Sequence, residues 1–260
     1  MTSGPQLISS AGNSLLKDLR RLAHDSGAYR KQGRVWLEGD HLCRAAMARG
    51  VTPELAVFAE SFWPTAGPEW TRHGGKDVVV ADALFDSLSA LESPARMGFV
   101  VPLPLPQGPA LLPDSPTVIL DRLQDAGNVG AILRCAAAFG FRQVLAIKGT
   151  AGLWSPKVLR SGMGAHFALH LVEGLAPASL DTLEVPVITT SSHQGEWLHS
   201  QTLPWPCAWA FGHEGQGIGA EIAARSRLAV RIVQPGGEES LNVASAAAIC
   251  LHASAAANAK

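Results

Sequence analysis

Leu15, Leu16, Leu19 and Leu22 recur at the three-and-four spacing of a single helix face. SLLKDLRRLAH, residues 14–24, therefore predicts an amphipathic helix. Short apolar runs follow it. RVWLEG (34–39), ELAVFAE (54–60) and DVVVA (77–81) predict strands. DHLCRAAMARG (40–50), closed by Gly50, and ALFDSLSAL (83–91) predict helices. This alternation predicts a small α/β domain over residues 1–100. The pattern breaks at VPLPLPQGPALLPDSP, residues 101–116, where six prolines exclude a helix or a central strand and predict an interdomain linker.

Beyond the prolines the alternation strengthens. Strands are predicted at TVIL (117–120), QVLAI (143–147), FALHLV (167–172), VPVITT (185–190), CAWAFG (207–212) and LAVRIV (228–233). Helices are predicted at 129–139, 156–163, 219–225 and 243–254. Unbroken apolar strands separated by helices predict an α/β fold, with a mostly parallel sheet covered on both faces, over residues 117–260. In such sheets ligands bind beyond the strand C-termini, so the residues just after strands carry the functional information.

Composition sharpens this picture in three places. Of the 260 residues 47% are apolar, enough for a sizeable core, and the formal net charge of −1 gives no overall polyanion-binding signature. The charge is uneven, however: residues 1–50 carry eight Lys or Arg against four Asp or Glu. Lys17, Arg20, Arg21, Arg30 and Lys31 are the candidate phosphate contacts there. Cys43, Cys135, Cys207 and Cys250 are far apart and lack zinc spacing, which fits small buried hydrophobes in a reducing cytoplasm, and no metal is expected. The N-terminal stretch has no apolar signal-peptide core, and no run approaches the length of a membrane span.

Three post-strand loops stand out. In LDRLQDAGNVGAILRCAAAFG (120–140), Asp125 and Asn128 precede a helix whose apolar face is Val129, Ile132, Leu133, Ala136 and Ala137. Arg134 lies off that face with Gly130 one turn before it, which leaves room for a ligand; a capped helix with a solvated Arg is the plainer reading. In CAWAFGHEGQGIG (207–219) four glycines surround Glu214 and let backbone N–H groups approach a ligand. The loose dinucleotide pattern there is followed by too few residues for a second nucleotide-binding half. In EESLNVASAAAIC (238–250), Ser240 and Asn242 are both favoured helix caps, yet a cap needs only one of them.

Taken together the three loops resemble the SpoU family of RNA ribose methyltransferases, within the SPOUT group. Its Asn-x-Gly-x-x-x-Arg motif is matched by Asn128, Gly130 and Arg134, its Phe-Gly-x-Glu-Gly-x-Gly motif by Phe211 to Gly217, and its Ser-Leu-Asn-Val motif by Ser240 to Val243. SPKVLRSGMGAHFAL (155–169) looks like a further family segment, and the N-terminal part is more loosely similar to the family's RNA-binding domain. Ala126 and Val233 stand where the family usually has proline, and His213 where it often has asparagine.

The resemblance implies a C-terminal trefoil knot, S-adenosylmethionine as cofactor, and methyl transfer to a ribose 2′-hydroxyl. It places the cofactor at Thr189, Gly212, Ile232 and Leu241, and the catalytic group at Arg134, Asn128, Glu214, Ser240 and Asn242. Asn128 and Asn242 would orient the ribose or Arg134, and Glu214 would fix Arg134 or a loop N–H. The expected substrate is ribosomal RNA, with transfer RNA the nearer alternative, and the expected assembly is a homodimer. The small-residue faces Ala136, Ala137 and Ala138, and Ala246, Ala247 and Cys250, suit a subunit contact or packing inside one subunit. A non-catalytic RNA-binding assembly factor of the same fold, and a nucleotide-dependent oxidoreductase, are the competing classes.

Overall fold

The computed structural model describes residues 4–71, 73–89, 93–104, 111–191, 194–236 and 240–259. The chain divides into two compact units. One holds residues 1–104 and 154–167, the other residues 105–153 and 168–260. The expected division at the proline-rich stretch therefore misses one excursion, residues 154–167, which groups with the N-terminal unit. The centre of the expected linker, 105–110, lies outside the described residues, as do Glu238 and Glu239 of the third loop and Ala90 and Leu91 of the predicted 83–91 helix.

The first unit contains β1 (Gln6–Ile8), α1 (Ser14–His24), α2 (Ala28–Gln32), β2 (Arg34–Glu38), α3 (Asp40–Met47), β3 (Leu55–Ala59), α4 (Pro68–Thr71), β4 (Lys76–Val80), α5 (Asp82–Phe85) and β5 (Met97–Pro102). Its five strands are ordered β1-β4-β3-β5-β2, parallel except where β5 pairs with β3 and β2. Asn13 caps α1 by accepting the Leu16 N–H, and Leu16, Leu19 and Leu22 enter a core with Trp36, Val57 and Val78. The predicted linker starts two residues too early: Val101 and Pro102 finish β5, Pro102 at its very end opposite Arg34, where the missing N–H costs the ladder least.

The second unit contains β6 (Thr117–Asp121), α6 (Ala126–Ala138) and β7 (Gln143–Ile147). After α7 (Pro156–Gly162), which belongs to the first unit, come β8 (His170–Leu175), β9 (Val187–Thr190), β10 (Glu196–Trp197), β11 (Ala208–Gly212), α8 (Ala220–Ala223), β12 (Ser226–Arg231) and α9 (Val243–Asn258). The seven-stranded sheet, β10-β12-β9-β11-β6-β7-β8, is parallel throughout. β6 and β7 are buried along their whole length, as expected of strands covered on both faces. From β6 the chain winds outward to β8 and then crosses to β9 on the other side of β11, a reversal of strand order that opens a crevice at the strand C-termini.

Three boundaries differ from the sequence pattern. α6 begins at Ala126 because Asp125, not Asn128, is its cap. β8 begins at His170, since residues 165–168 form a 3-10 turn after Gly164. β12 spans 226–231, leaving Ile232 and Val233 in the following loop. α9 packs on α6 and β11. Ala136, Ala247 and Cys250 are fully buried, so the small faces read as a possible subunit contact are largely used within the chain. Among the described residues no group of side chains is placed to hold a metal ion, and no helix is long and apolar enough to cross a membrane. Burial pushes the Cys207 thiol up to about 11 and that of Cys250 up to about 12, consistent with cysteines packed as small hydrophobes.

Candidate active site

A cavity of about 340 Å³ opens where the chain leaves β9, β11 and β12. Gly212, Glu214, Ile232, Ser240, Leu241 and Asn242 line it, together with Thr190, Ser191 and Gln234. Residues from the second and third loops therefore meet at one place, and the first loop reaches it through hydrogen bonds.

Asn242 resolves why a helix mouth carries two capping residues. Its Oδ1 accepts the N–H groups of Ala244 (2.9 Å) and Ser245 (3.3 Å), so Asn242 is the cap of α9. Its Nδ2 remains and donates to Asn128 Oδ1 at 2.9 Å. Asn128 Nδ2 in turn donates to Glu214 Oε1 at 3.3 Å. Glu214 also accepts the N–H of Gln124 at 3.4 Å and of Asp125 at 3.3 Å. Partial burial alone would raise the Glu214 pKa. Hydrogen bonds from its own N–H, Asn128, Gln124 and Asp125 outweigh burial and hold the carboxyl below the usual glutamate range. One relay thus joins all three motifs, and Glu214 fixes loop N–H groups rather than Arg134.

Ser240 faces the cavity without a hydrogen bond among the described residues. Arg134 is exposed on α6, outside the cavity lining, and its side chain makes no hydrogen bond or ion pair among the described residues. Gly130 does not supply the open spot expected beside it, because Gly130 is buried. Thr189 is buried, and its hydroxyl lies 2.8 Å from Ser226 Oγ. Its neighbours Thr190 and Ser191 line the cavity instead. Gly212, Ile232 and Leu241 line the cavity. A Cβ on Gly212 would meet the Gly217 carbonyl carbon at 2.3 Å, so the loop can fold back tightly only on glycine.

Two residues that the motifs do not contain hold the glycine loop. Asp121, buried at the end of β6, accepts the Gly219 N–H at 2.6 Å. Arg122, in the left-handed region at φ 61°, bonds Asp121 at 2.9 Å and Gln216 Oε1 at 3.1 Å. The hydrogen bonds and charge of Asp121 raise the Arg122 pKa further. His213 Nδ1 accepts the N–H groups of Gly215 and Gln216 at 3.0 and 3.2 Å, so a histidine serves the turn where the resemblance expects asparagine.

The RNA candidates all lie in the first unit. Lys17, Arg21, Arg30 and Lys31 are exposed; Arg21 pairs with Asp18 at 3.4 Å, and Arg30 lies over the Tyr29 ring. Arg20 is half-buried and donates from Nε to Ser87 Oγ at 2.7 Å, which gives it a structural partner.

Known proteins resemble this chain in sequence and fold. The sequence model of the SpoU rRNA Methylase family matches residues 115–252. A Bacillus subtilis protein named 23S rRNA (guanosine(2553)-2′-O)-methyltransferase RlmP is 30% identical over 251 residues, covering 94% of this chain and 97% of its own length. A crystal structure of an RNA 2′-O ribose methyltransferase has a TM-score of 0.78 at 27% identity, over 95% of this chain and 97% of that one. The AdoMet-bound rRNA methyltransferase from Sinorhizobium meliloti shares the fold, with a TM-score of 0.85 at 22% identity over 98% and 99% of the two chains. With its three motifs joined at one cavity, this chain belongs to the SpoU rRNA methylase family of RNA methyltransferases.

Proposed function

We propose that this protein transfers a methyl group from S-adenosylmethionine to a ribose 2′-hydroxyl of ribosomal RNA. The observation that carries the reading is the Glu214–Asn128–Asn242 relay, which ties all three motif loops to one cavity. The names of the B. subtilis and S. meliloti relatives point to ribosomal RNA as the substrate class.

The cavity fits the cofactor. It has the size of a small-molecule site. Ile218, Ile232 and Leu241 offer apolar surface to a flat ring, and Gln234 presents a buried oxygen with no hydrogen-bond partner among the described residues. The bound cofactor supplies a methyl group made electrophilic by a sulfonium. The protein supplies position. Gly212 and Leu241 shape the wall, and Asn242 is locked by its two roles. A guanidinium has donors only and no acceptor for a proton, so the role of Arg134 is to grip RNA phosphate and stabilise negative charge developing on the ribose oxygen. Glu214 is held ionised by four hydrogen-bond donors, which makes it a poor proton acceptor and a loop anchor.

The trefoil knot belongs to the same reading, supported by the packing of α9 on α6 and β11. The first unit supplies RNA affinity, and the protein acts in the cytoplasm as a homodimer. What supports the dimer is an apolar hollow on the outer side of α9, with exposed Ile249 and Val233 beside Phe139 and Ala253. Mass-spectrometric mapping of 2′-O-methyl nucleotides in RNA from cells lacking this protein tests the function. The expected result is one ribosomal site lost and regained with the wild-type chain. Loss from transfer RNA alone would move the substrate class, and loss nowhere would favour a non-catalytic assembly factor.

A further inference from the structure

Gln234 is in none of the motifs, yet it lines the same cavity. It follows the end of β12 by three residues and precedes Pro235, which restricts its backbone to extended conformations. Its Oε1 is buried and has no hydrogen-bond partner among the described residues. A buried acceptor without a donor is unfavourable, and proteins seldom keep one unless something else supplies the donor. Here the unpaired atom is a carbonyl-type oxygen, which only accepts, on a residue that shares the cavity wall with Ile232 and Leu241.

The geometry points to Gln234 Oε1 as the acceptor for an N–H donor of the bound cofactor, either the adenine amine or the amino-acid ammonium. Gln234 is then a recognition residue for the nucleoside cofactor, separate from the residues that handle RNA. This rests on the proposed use of S-adenosylmethionine. It also predicts opposite effects of one substitution on two properties. Replacing Gln234 by an apolar residue of similar size removes the unpaired oxygen, so the free protein is at least as stable as before. The same change removes one hydrogen bond from the complex.

The experiment is titration calorimetry on the full chain with three non-reacting probes, alongside the Tm of the free protein. The probes are S-adenosylhomocysteine, its analogue with hydrogen in place of the 6-amino group, and 5′-methylthioadenosine, which lacks the amino acid. Gln234→Leu is expected to weaken S-adenosylhomocysteine about tenfold, the scale of one buried hydrogen bond, with Tm equal to or above wild type. If the adenine amine is the donor, 5′-methylthioadenosine weakens by the same factor and the des-amino analogue is unaffected. If the ammonium is the donor, the two analogues exchange behaviour. Unchanged binding of S-adenosylhomocysteine overturns the inference. So does an equal loss on both analogues, or a loss accompanied by a lowered Tm, because each describes a damaged cavity. A wild-type chain that binds none of the probes overturns the cofactor reading itself and this inference with it. Should the Leu variant not fold, Gln234→Met offers the same test.

Discussion

The polar side chains of the three motif loops and the cavity wall fall into two sets. Glu214, Asn128 and Asn242 direct their polar atoms at one another and at backbone N–H groups. Arg134, Ser240 and the Oε1 of Gln234 have no hydrogen-bond partner among the described residues. An internal hydrogen bond contributes about 1 kcal/mol net, and losing one partner of a pair costs more than that when the other is buried. The first set is therefore a frame, whose removal is felt in folding and function alike. The second set is open to ligands, and its removal is expected to be felt in function alone.

The sharpest test of this division is Arg134. With no partner inside the protein, Arg134→Ala is expected to leave the urea midpoint and S-adenosylhomocysteine affinity close to wild type. Methyl transfer should fall by about 10²–10³-fold, the scale of losing one group that stabilises developing charge. Arg134→Lys should recover little, because a point charge does not replace a planar fork. A variant that loses stability together with rate would place Arg134 in the frame.

Asn242 is the counterpart. Asn242→Ala removes the cap of α9 and the bond to Asn128, and is expected to cost about 1–3 kcal/mol in urea unfolding, with weaker cofactor binding. Asn242→Asp separates the two roles: a carboxylate still caps the helix but has no Nδ2 to donate. Near-normal stability with weakened cofactor binding would show that the relay matters apart from the cap. If both variants are equally unstable, the bond to Asn128 and not the cap carries the contribution of Asn242 to folding.

Much of this frame was legible in the spacing of three motifs. Asn128 lies 86 residues from Glu214 and 114 from Asn242 in sequence, and placing each just after a strand was enough to bring them together. The choice of atom was not legible. Thr189 sits at the right strand end, but its hydroxyl lies against Ser226 Oγ of the neighbouring strand β12, whose register with β9 shifts between Ser226 and Leu228. Gly130 follows the same helix face as Arg134 in projection, yet is buried, since packing of the helix and not its period decides which side stays open. Asp121 and Arg122 carry no periodic signal, and their grip on Gly219 and Gln216 spans more than ninety residues. The three-residue β1 and two-residue β10 are too short for any period to reveal.

Acid pH probes the frame more gently. Because the folded-state pKa of Glu214 is depressed, its contribution is complete above the ordinary glutamate range and is lost as pH falls through the lower folded value. Cofactor affinity should therefore hold from neutral pH down through the ordinary glutamate range and decline only below it. Glu214→Gln, which keeps one acceptor but no titrating charge, should show lower affinity at neutral pH and a flatter acid limb. An identical acid limb in wild type and Glu214→Gln would assign the pH dependence to another group.

The smallest effect carries the same division into the first unit. Arg20 donates to Ser87 Oγ at 2.7 Å, whereas the side chains of Lys17 and Lys31 are exposed and have no hydrogen bond or ion pair among the described residues. By the argument that separates Arg134 from Asn242, the free lysines are expected to contact RNA phosphate and Arg20 to hold α1 to its surroundings. Each true phosphate contact releases counterions, so Lys31→Gln or Lys17→Gln should flatten the salt dependence of RNA binding by about 0.7–0.9 of a log–log unit. Arg20→Gln should leave that slope nearly unchanged and lower the urea midpoint instead, through loss of the bond to Ser87. The readout is the slope across a salt series, measured with full-length protein, because an affinity at one salt concentration mixes the two effects. If Arg20→Gln flattens the slope as much as the lysine variants do, then having an internal partner does not exclude a residue from RNA contact, and the rule drawn from the cavity does not extend to the first unit.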